Sequence, residues 1–304
     1  MKRSFLTKAL SSAVLIFVAS FCVSAQTRTI EHDYSEFDSI VASNGFKVVM
    51  VESDAYSTKL TVDDALESYV QCYVKAKTLY LSVDEKNIPK DLKKSYKSKN
   101  ASDPIIKAIV YVPRINSLKL SSNAEFSSDV TMDVENFDLN VSDNSKANNL
   151  KLNVSNTATI TVGKKSQVGS LKVQTKDLQV NSDSNGILTG DFAATKVTVN
   201  NAGSAEVTLN GNCEEFFVSA AGSAKLLVAG NAKTLSVGGK GNQAKVDANG
   251  LKVESAILTI SGVSVIVDAD DTLTLDIEKS SDVVFSGDPD IKIVKISSSS
   301  VNRK

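Results

Sequence analysis

Residues 196–228 read KVTVNNAGSAEVTLNGNCEEFFVSAAGSAKLLV, and the stretch repeats itself with a step of 19 residues. Val197 and Val199 return as Phe216 and Val218, the corner Gly203-Ser204-Ala205 returns as Gly222-Ser223-Ala224, and Val207 and Leu209 return as Leu226 and Val228. Apolar side chains alternating with polar ones mark strands with one buried face. Outward from this stretch the same apolar-x-apolar dyad stands at Leu118/Leu120, Phe137/Leu139, Leu178/Val180, Leu235/Val237, Leu273/Leu275 and Ile291/Ile293, at spacings of about 19 residues or a small multiple. A second alternating run follows the dyads, for instance Ala244, Val246 and Ala248, or Val283 and Phe285. A fixed period with no helical pattern inside it predicts an all-β chain, a parallel β-helix or β-solenoid with coils of about 19 residues and two short strands per coil. Stacking then buries what one coil cannot bury alone. The coil is taken as right-handed by analogy with the fold class, and a globular sandwich is the alternative architecture. Two places break the pattern: Leu171/Val173 reads as a shorter insert between Leu150 and Leu178, and residues 251–267 are irregular.

A column of small hydrogen-bonding residues falls between the runs: Asn144, Thr157, Asn185, Ser204, Ser223, Asn242, Ser280 and Ser298. Such side chains suit tight turns, and in-register copies can bond along the stack. The corner before each new coil is often acidic, as at Asp133 and Glu135, Asp177, Glu214 and Glu215, Asp270 and Asp271, and Asp288 and Asp290. Stacked carboxylates are oxygen ligands for a hard cation, yet solvated turns that discourage sideways pairing need the same residues. The second reading is preferred, so no metal and no cofactor are assigned. The single Gly238-Gly239-x-Gly241-Asn242 run lacks the acidic residue of a calcium-binding repeat.

The chain opens with Lys2 and Arg3 ahead of an apolar stretch from Ala13 to Val23, too short to span a bilayer. Val23, Ser24 and Ala25 fit a cleavage site, so residues 1–25 read as an export signal and no membrane span remains in the mature chain. Lipidation at Cys22 is disfavoured because the bulky Phe21 precedes it. The expected locations are periplasm, outer membrane or exterior. Residues 26–115 form a less regular β region with a lysine-rich insertion at 86–107. Within it Phe37, Ile40, Gly45, Phe46, Val48 and Met50 repeat the dyad and corner logic. Residues 116–304 carry the regular solenoid, continuous with that region. A helical turn within Asp63 to Val74 and the polar tail Ser297 to Lys304 are the expected end caps. Cys72 and Cys213 stand about seven coils apart, too far for a disulfide at roughly 4.8 Å per coil, so both are expected as thiols.

A net charge of -1 supplies no general attraction to nucleic acid. Local charge is another matter. The insertion holds Lys90, Lys93, Lys94, Lys97 and Lys99 around Tyr96, a set able to hold an anionic sugar or phosphate while the ring stacks on a sugar. A soluble surface loop has the same composition. All the tyrosines, Tyr34, Tyr56, Tyr69, Tyr73, Tyr80, Tyr96 and Tyr111, lie in the N-terminal third. They suit a contact region or, preferably, a cap packed with large side chains. His32, the single histidine, is placed in a loose surface arm, and no nucleophile, metal-protease or phosphate-loop motif is present. Among carboxylates, Glu214 with Glu215 and Asp268 with Asp270 and Asp271 are the pairs that acid/base chemistry would need.

Taken in order, Phe37-x-x-Ile40 with Gly45-Phe46-x-Val48, Val110-x-Val112-Pro113 with Leu118-x-Leu120, the two Gly-Ser-Ala corners and the ending Phe285-Ser286-Gly287-Asp288-Pro289 resemble the putative auto-transporter adhesin, head GIN domain family. The likeness spans nearly all of the mature chain. Asn or Ser replaces glycine at many corners, and residues 86–107 look like an added loop. The resemblance implies a β-helical fold and an envelope or extracellular location, and it supplies no catalytic residues. The expectation is therefore a non-catalytic, adhesin-like envelope protein that presents a rigid face to glycans or envelope proteins. The alternatives are a β-helical polysaccharide lyase or hydrolase and a purely structural element.

Overall fold

The computed structural model describes residues 27–96, 103–241 and 243–304. The export segment with Cys22, and Lys97, Lys99 and Asn242, lie outside the described residues. No helix among the described residues is long and apolar enough to cross a membrane.

The strands stack in parallel into a β-solenoid, and the register between coils defines its faces. On the first face one inward column runs Leu79, Ile40, Leu118, Leu139, Ile160, Val180, Val199, Val218, Val237, Leu258, Leu275 and Ile293. From Leu118 to Ile293 the step is 21, 21, 20, 19, 19, 19, 21, 17 and 18 residues, the differences between successive numbers. The second face stacks Phe126, Ala147, Val168, Leu188, Val207, Leu226, Val246, Val265 and Val283. The side chains that alternation assigned to the interior are buried up to the last coil, where Ile291 and Ile293 are exposed instead.

Two strands per coil prove to be too few. A third face stacks Met132, Leu152, Val173, Phe192, Gly211, Gly230 and Leu251. Leu171/Val173 is therefore a regular rung of that face and not an insert. The face escapes sequence reading for two reasons. Long strands such as Gln167–Ser182 and Lys245–Ser261 pass from face to face as single elements, with the register breaks at Gly169-Ser170 and Asn249-Gly250 inside them. The column also loses its side chains at midlength: a β-carbon on Gly211 would strike the carbonyl oxygen of Phe192, and one on Gly230 that of Gly211.

The corner between the first two faces uses left-handed backbone, at Asn144, Ser184, Gly203, Gly222, Ser280 and Ser298. Backbone bonds climb this corner, as from Ser204 N to Ser184 O at 2.6 Å and Ser223 N to Gly203 O at 2.7 Å. Thr157 stands apart from the corner column, because it begins the first face, paired with Asn136 and Asp177. The side-chain ladder lies one residue further on. Ser145 N donates to Ser166 Oγ at 3.1 Å, Ala124 N to Ser145 Oγ at 3.1 Å, and Ser281 N to Ser299 Oγ at 3.2 Å. These buried hydroxyls satisfy amides that the tight corner leaves unpaired. Exposed amide ladders occur too, at Asn181 with Asn200 and Asn212 with Asn231.

The N-terminal end departs from chain order. Ser39–Ala42 and Lys47–Glu52 form a coil held between two later ones: Thr78–Val83 and Ile106–Val112 below, Ser117–Leu120 and Glu125–Ser128 above. Beyond the lowest coil the sheet continues in antiparallel fashion. Val70–Lys75 pairs with Thr78–Val83, Ser57–Asp63 with Ile106–Val112, and Thr27–Asp33 with Ser57–Asp63. His32 thus belongs to an edge strand and not to a loose arm. The expected helical turn is a 3-10 turn, Asp64–Tyr69, that buries Leu66; Val70 onward is strand.

The other end has no such cap. Ser300–Arg303 is the last rung of the second face, so the polar tail continues the ladder instead of closing it. Asp290–Ser297 is left exposed, with Ile293 at 64% and Val294 at 69%. The extra residue Val294 bulges the strand, and Lys292 and Lys295 line it. Bulges and lysines are how edge strands avoid pairing with strangers.

Cys72 and Cys213 are both free. The Tyr34 hydroxyl lies 3.0 Å from Cys72 Sγ. Burial raises the Cys72 thiol above its ordinary range, against hydrogen bonds with Tyr34 and Thr58 that lower it, and burial pushes Cys213 up to about 12. Below the ordinary thiol value of 9.0 both states keep the Cys213 proton. Between 9.0 and about 12 only the unfolded chain loses it, so this contribution to stability drains away as pH rises through that window. Denaturant midpoints measured from pH 8 to 11 are expected to fall with pH, and less steeply in Cys213→Ala; equal slopes would refute the assignment.

Gly222 sits at φ +70 with Gly203 O 2.8 Å from where a β-carbon would be, whereas Gly238 has ordinary space, its nearest atom at 3.8 Å. Gly222→Ala is expected to cost about 1–2 kcal/mol and to lower the thermal midpoint by several degrees, with Gly238→Ala near neutral. Equal melting of the two variants would contradict this corner geometry.

Candidate functional site

Most coils join the first and second faces through a short corner, as at residues 43–45. In the lowest coil that corner is replaced by residues 84–105. Asp84 N donates to Tyr69 O at 2.8 Å, which anchors the departure, and Pro89 precedes the helix Lys90–Tyr96, where its missing N–H costs nothing. The return is anchored by Asp63: its N–H donates to Ile105 O at 3.0 Å, and Ile105 N donates to Asp63 Oδ2 at 3.2 Å. Asp63 is only 3% exposed, so these bonds are made out of water's reach.

Ile88, Leu92 and Tyr96 are spaced by four and pack, partly buried, against the core. Residues 90 and 94 then lie on the helix's other side and residue 93 on its flank toward the cavity, so the helix gathers three lysines. Lys90 and Lys94 are exposed and Lys93 is half-buried. The ion pairs of the described residues lie elsewhere and leave these three lysines without a carboxylate partner. Burial, then the Asp63 charge and hydrogen bonding to its carboxylate, raise the Tyr96 phenol above its ordinary range.

Between helix and solenoid lies a cavity of about 390 Å³. Leu66, Val83, Ile88, Ile106, Pro104 and Tyr96 give it apolar walls, and Asn44, Glu85 and Lys93 supply the polar groups. Lys90, Lys93, Lys94 and Tyr96 thus share one helix, but Tyr96 and Lys93 face the cavity while Lys90 and Lys94 are exposed, so the ring does not stand among all the lysines as a free stacking surface. The cavity itself was not foreseen, because its walls come from residues 44 to 106, contributed by four separate segments with no shared motif.

The other candidates resolve differently. Tyr34, Tyr56, Tyr69 and Tyr96 pack against the core, with Phe37 edge-on to Tyr34 and Tyr56 at 6.5 and 5.5 Å. They are cap packing, while Tyr73, stacked on Tyr80 at 5.1 Å, is exposed. The acidic corners are tied to neighbouring coils: Asn153 Nδ2 donates to Asp133 Oδ1 at 2.6 Å, Lys233 pairs with Glu214 at 3.5 Å, Ser286 Oγ donates to Asp268 at 2.8 Å, and Arg303 pairs with Asp288 at 3.1 Å. Among the described residues no group of three or more His, Cys, Asp or Glu side chains converges. A shallow cleft of about 490 Å³ joins Arg114, Asn116, Asp133, Glu135 and Asn153. It lies where the third face begins, at residues 131–134, with the 113–116 link passing nearby.

The family described as "Putative auto-transporter adhesin, head GIN domain" matches this chain at residues 36–210, 141–229 and 164–289. No curated protein matches it. Among solved structures, a putative lipid binding protein from Parabacteroides distasonis ATCC 8503 is similar at 21% identity and TM-score 0.50, covering 92% of this chain and 98% of its own. A putative adhesin from the same organism is similar at 14% identity and TM-score 0.52, with the same 92% and 98% coverage. These likenesses speak to the fold.

Leu92 holds the helix to the solenoid while the coils are held by their own ladders. Leu92→Asp is expected to raise amide hydrogen exchange at residues 85–96 at least tenfold, while the thermal midpoint of the chain moves by no more than a few degrees. Loss of the whole fold in this variant would show that the insertion is part of the core.

Proposed function

This chain belongs to the putative auto-transporter adhesin, head GIN domain family, and from that premise we propose that it is an exported, non-catalytic envelope protein whose solenoid is a rigid stalk and whose basic N-terminal end makes the contact. The observation that carries this reading is the helix Lys90–Tyr96, along which Lys90, Lys93 and Lys94 stand without an ion-pair partner among the described residues. Lys97 and Lys99 follow directly in sequence and extend the same basic run. Isolated ammonium groups with no carboxylate to satisfy them favour an anionic surface, and acidic glycans of an envelope or host have that chemistry. Along the solenoid the lysines at 146, 164, 225, 233 and 295 are matched with acids, whereas the helix gathers three lysines within two turns and has none of them in an ion pair among the described residues.

A polysaccharide lyase or hydrolase would need carboxylates converging in a groove. The pairs that the sequence suggested lie at corners, with Glu214 held by Lys233 and Asp268 by Ser286. That arrangement favours the non-catalytic reading.

Purified mature protein is expected to bind acidic members of a glycan array in a salt-sensitive manner. The triple variant Lys90→Glu, Lys93→Glu and Lys94→Glu is expected to bind at least tenfold more weakly, with unchanged circular dichroism. Equal binding by the variant would remove this helix from the contact.

A further inference from the structure

The cavity beneath the helix has a second chemistry that surface charge does not use. Leu66, Val83 and Ile106 are buried residues of the solenoid's lower end and form part of its wall, and Ile88 and Tyr96 close it from the insertion. At about 390 Å³ it sits near the lower end of the range of small-molecule sites, room for a single acyl chain. Each methylene taken from water into such a lining contributes about 0.8 kcal/mol. The polar groups are few: Lys93 and Asn44 line the cavity with one acid, Glu85, and Lys90 and Lys94 add positive charge on the exposed side of the same helix. An apolar tail with a carboxylate or phosphate head fits that combination, and a cationic head would face the lysines.

We infer that this cavity binds the single acyl chain of an anionic amphiphile, with Lys93 holding the head group and the Leu66, Val83, Ile88 and Ile106 wall holding the tail. The inference deepens the reading of this end as the contact region, since the same helix serves both.

The chain contains no tryptophan, so Tyr96→Trp places a lone reporter in the cavity wall. Titrating that variant with 11-bromoundecanoate below its aggregation concentration is expected to give saturable quenching, and undecanoate is expected to give none. Calorimetry on the unaltered protein is expected to show laurate binding at one site, with dodecyltrimethylammonium at least tenfold weaker. Lys93→Glu should weaken laurate at least tenfold, and Ile88→Phe, which fills the cavity, should weaken it comparably while the thermal midpoint is kept. Phosphatidylglycerol vesicles distinguish the source: cosedimentation that Ile88→Phe abolishes points to a membrane lipid, and laurate binding without cosedimentation points to a free acid. No laurate heat together with no quenching overturns the inference, as does laurate binding indifferent to both substitutions. The glycan array on the same proteins separates the two readings. Ile88→Phe should leave it unchanged, so array binding without laurate binding sinks only the cavity, and laurate binding without array binding sinks only the glycan contact.

Discussion

Everything in this molecule rests on one backbone ladder: each coil hydrogen-bonds in parallel register to the coils on either side, and no coil has a core of its own. A rung of about 19 residues presents only a handful of inward side chains, so it is stable only when its neighbours cover them. The ladder therefore dictates the chemistry of the corners. A corner that must pass directly over its predecessor needs left-handed backbone, which Gly203, Gly222, Asn144 and Ser280 adopt at low cost, while the exposed Lys164 and Lys165 fill one such corner with their side chains in solvent. It also strands amide groups in the interior, hence the buried serines 145, 166 and 281. The same demand for close approach empties the third face of side chains at Gly211 and Gly230.

How much of this could be read in the sequence follows from which demands leave a periodic trace. The first and second faces leave one, because Leu, Ile and Val alternate with Thr, Asn and Lys at period two and recur with the coil. The third face does not. Its column passes from Val173 and Phe192 to two glycines, and its bends lie inside strands that continue into the next face. The serine ladder was misplaced by one residue because Asn144 and Ser280 look like the hydrogen-bonding members, whereas the left-handed backbone there leaves that work to Ser145 and Ser281. The basic helix was legible as a charge cluster around Tyr96. The cavity beneath it was not, since Asn44, Leu66, Val83 and Ile106 meet only through the reordered coils.

The two ends show how a solenoid can be finished in different ways. At the lower end antiparallel strands, a 3-10 turn and the tyrosine and phenylalanine rings cover the core, and the large side chains there do the work that a further coil would do elsewhere. At the upper end the strand Asp290–Ser297 covers Leu273 and Leu275, leaves its own Ile291 and Ile293 exposed, and carries a bulge and two lysines of the kind that keep other strands away. The helix insertion belongs to the finished end, where a departure from the 19-residue rhythm disturbs no coil beyond it.

The position of the coil formed by Ser39–Ala42 and Lys47–Glu52 between two coils made later in the chain has a mechanical meaning. A load applied to the C-terminus meets rungs in order, each held on one side only, and peels them one at a time. A load applied at the N-terminus first strips the outer strand Thr27–Asp33 and then reaches a coil gripped from both sides, which cannot leave without shearing two ladders together. A molecule that must hold a surface through its lower end would thus be anchored at its strongest joint, with the weaker, sequential unravelling confined to the far end.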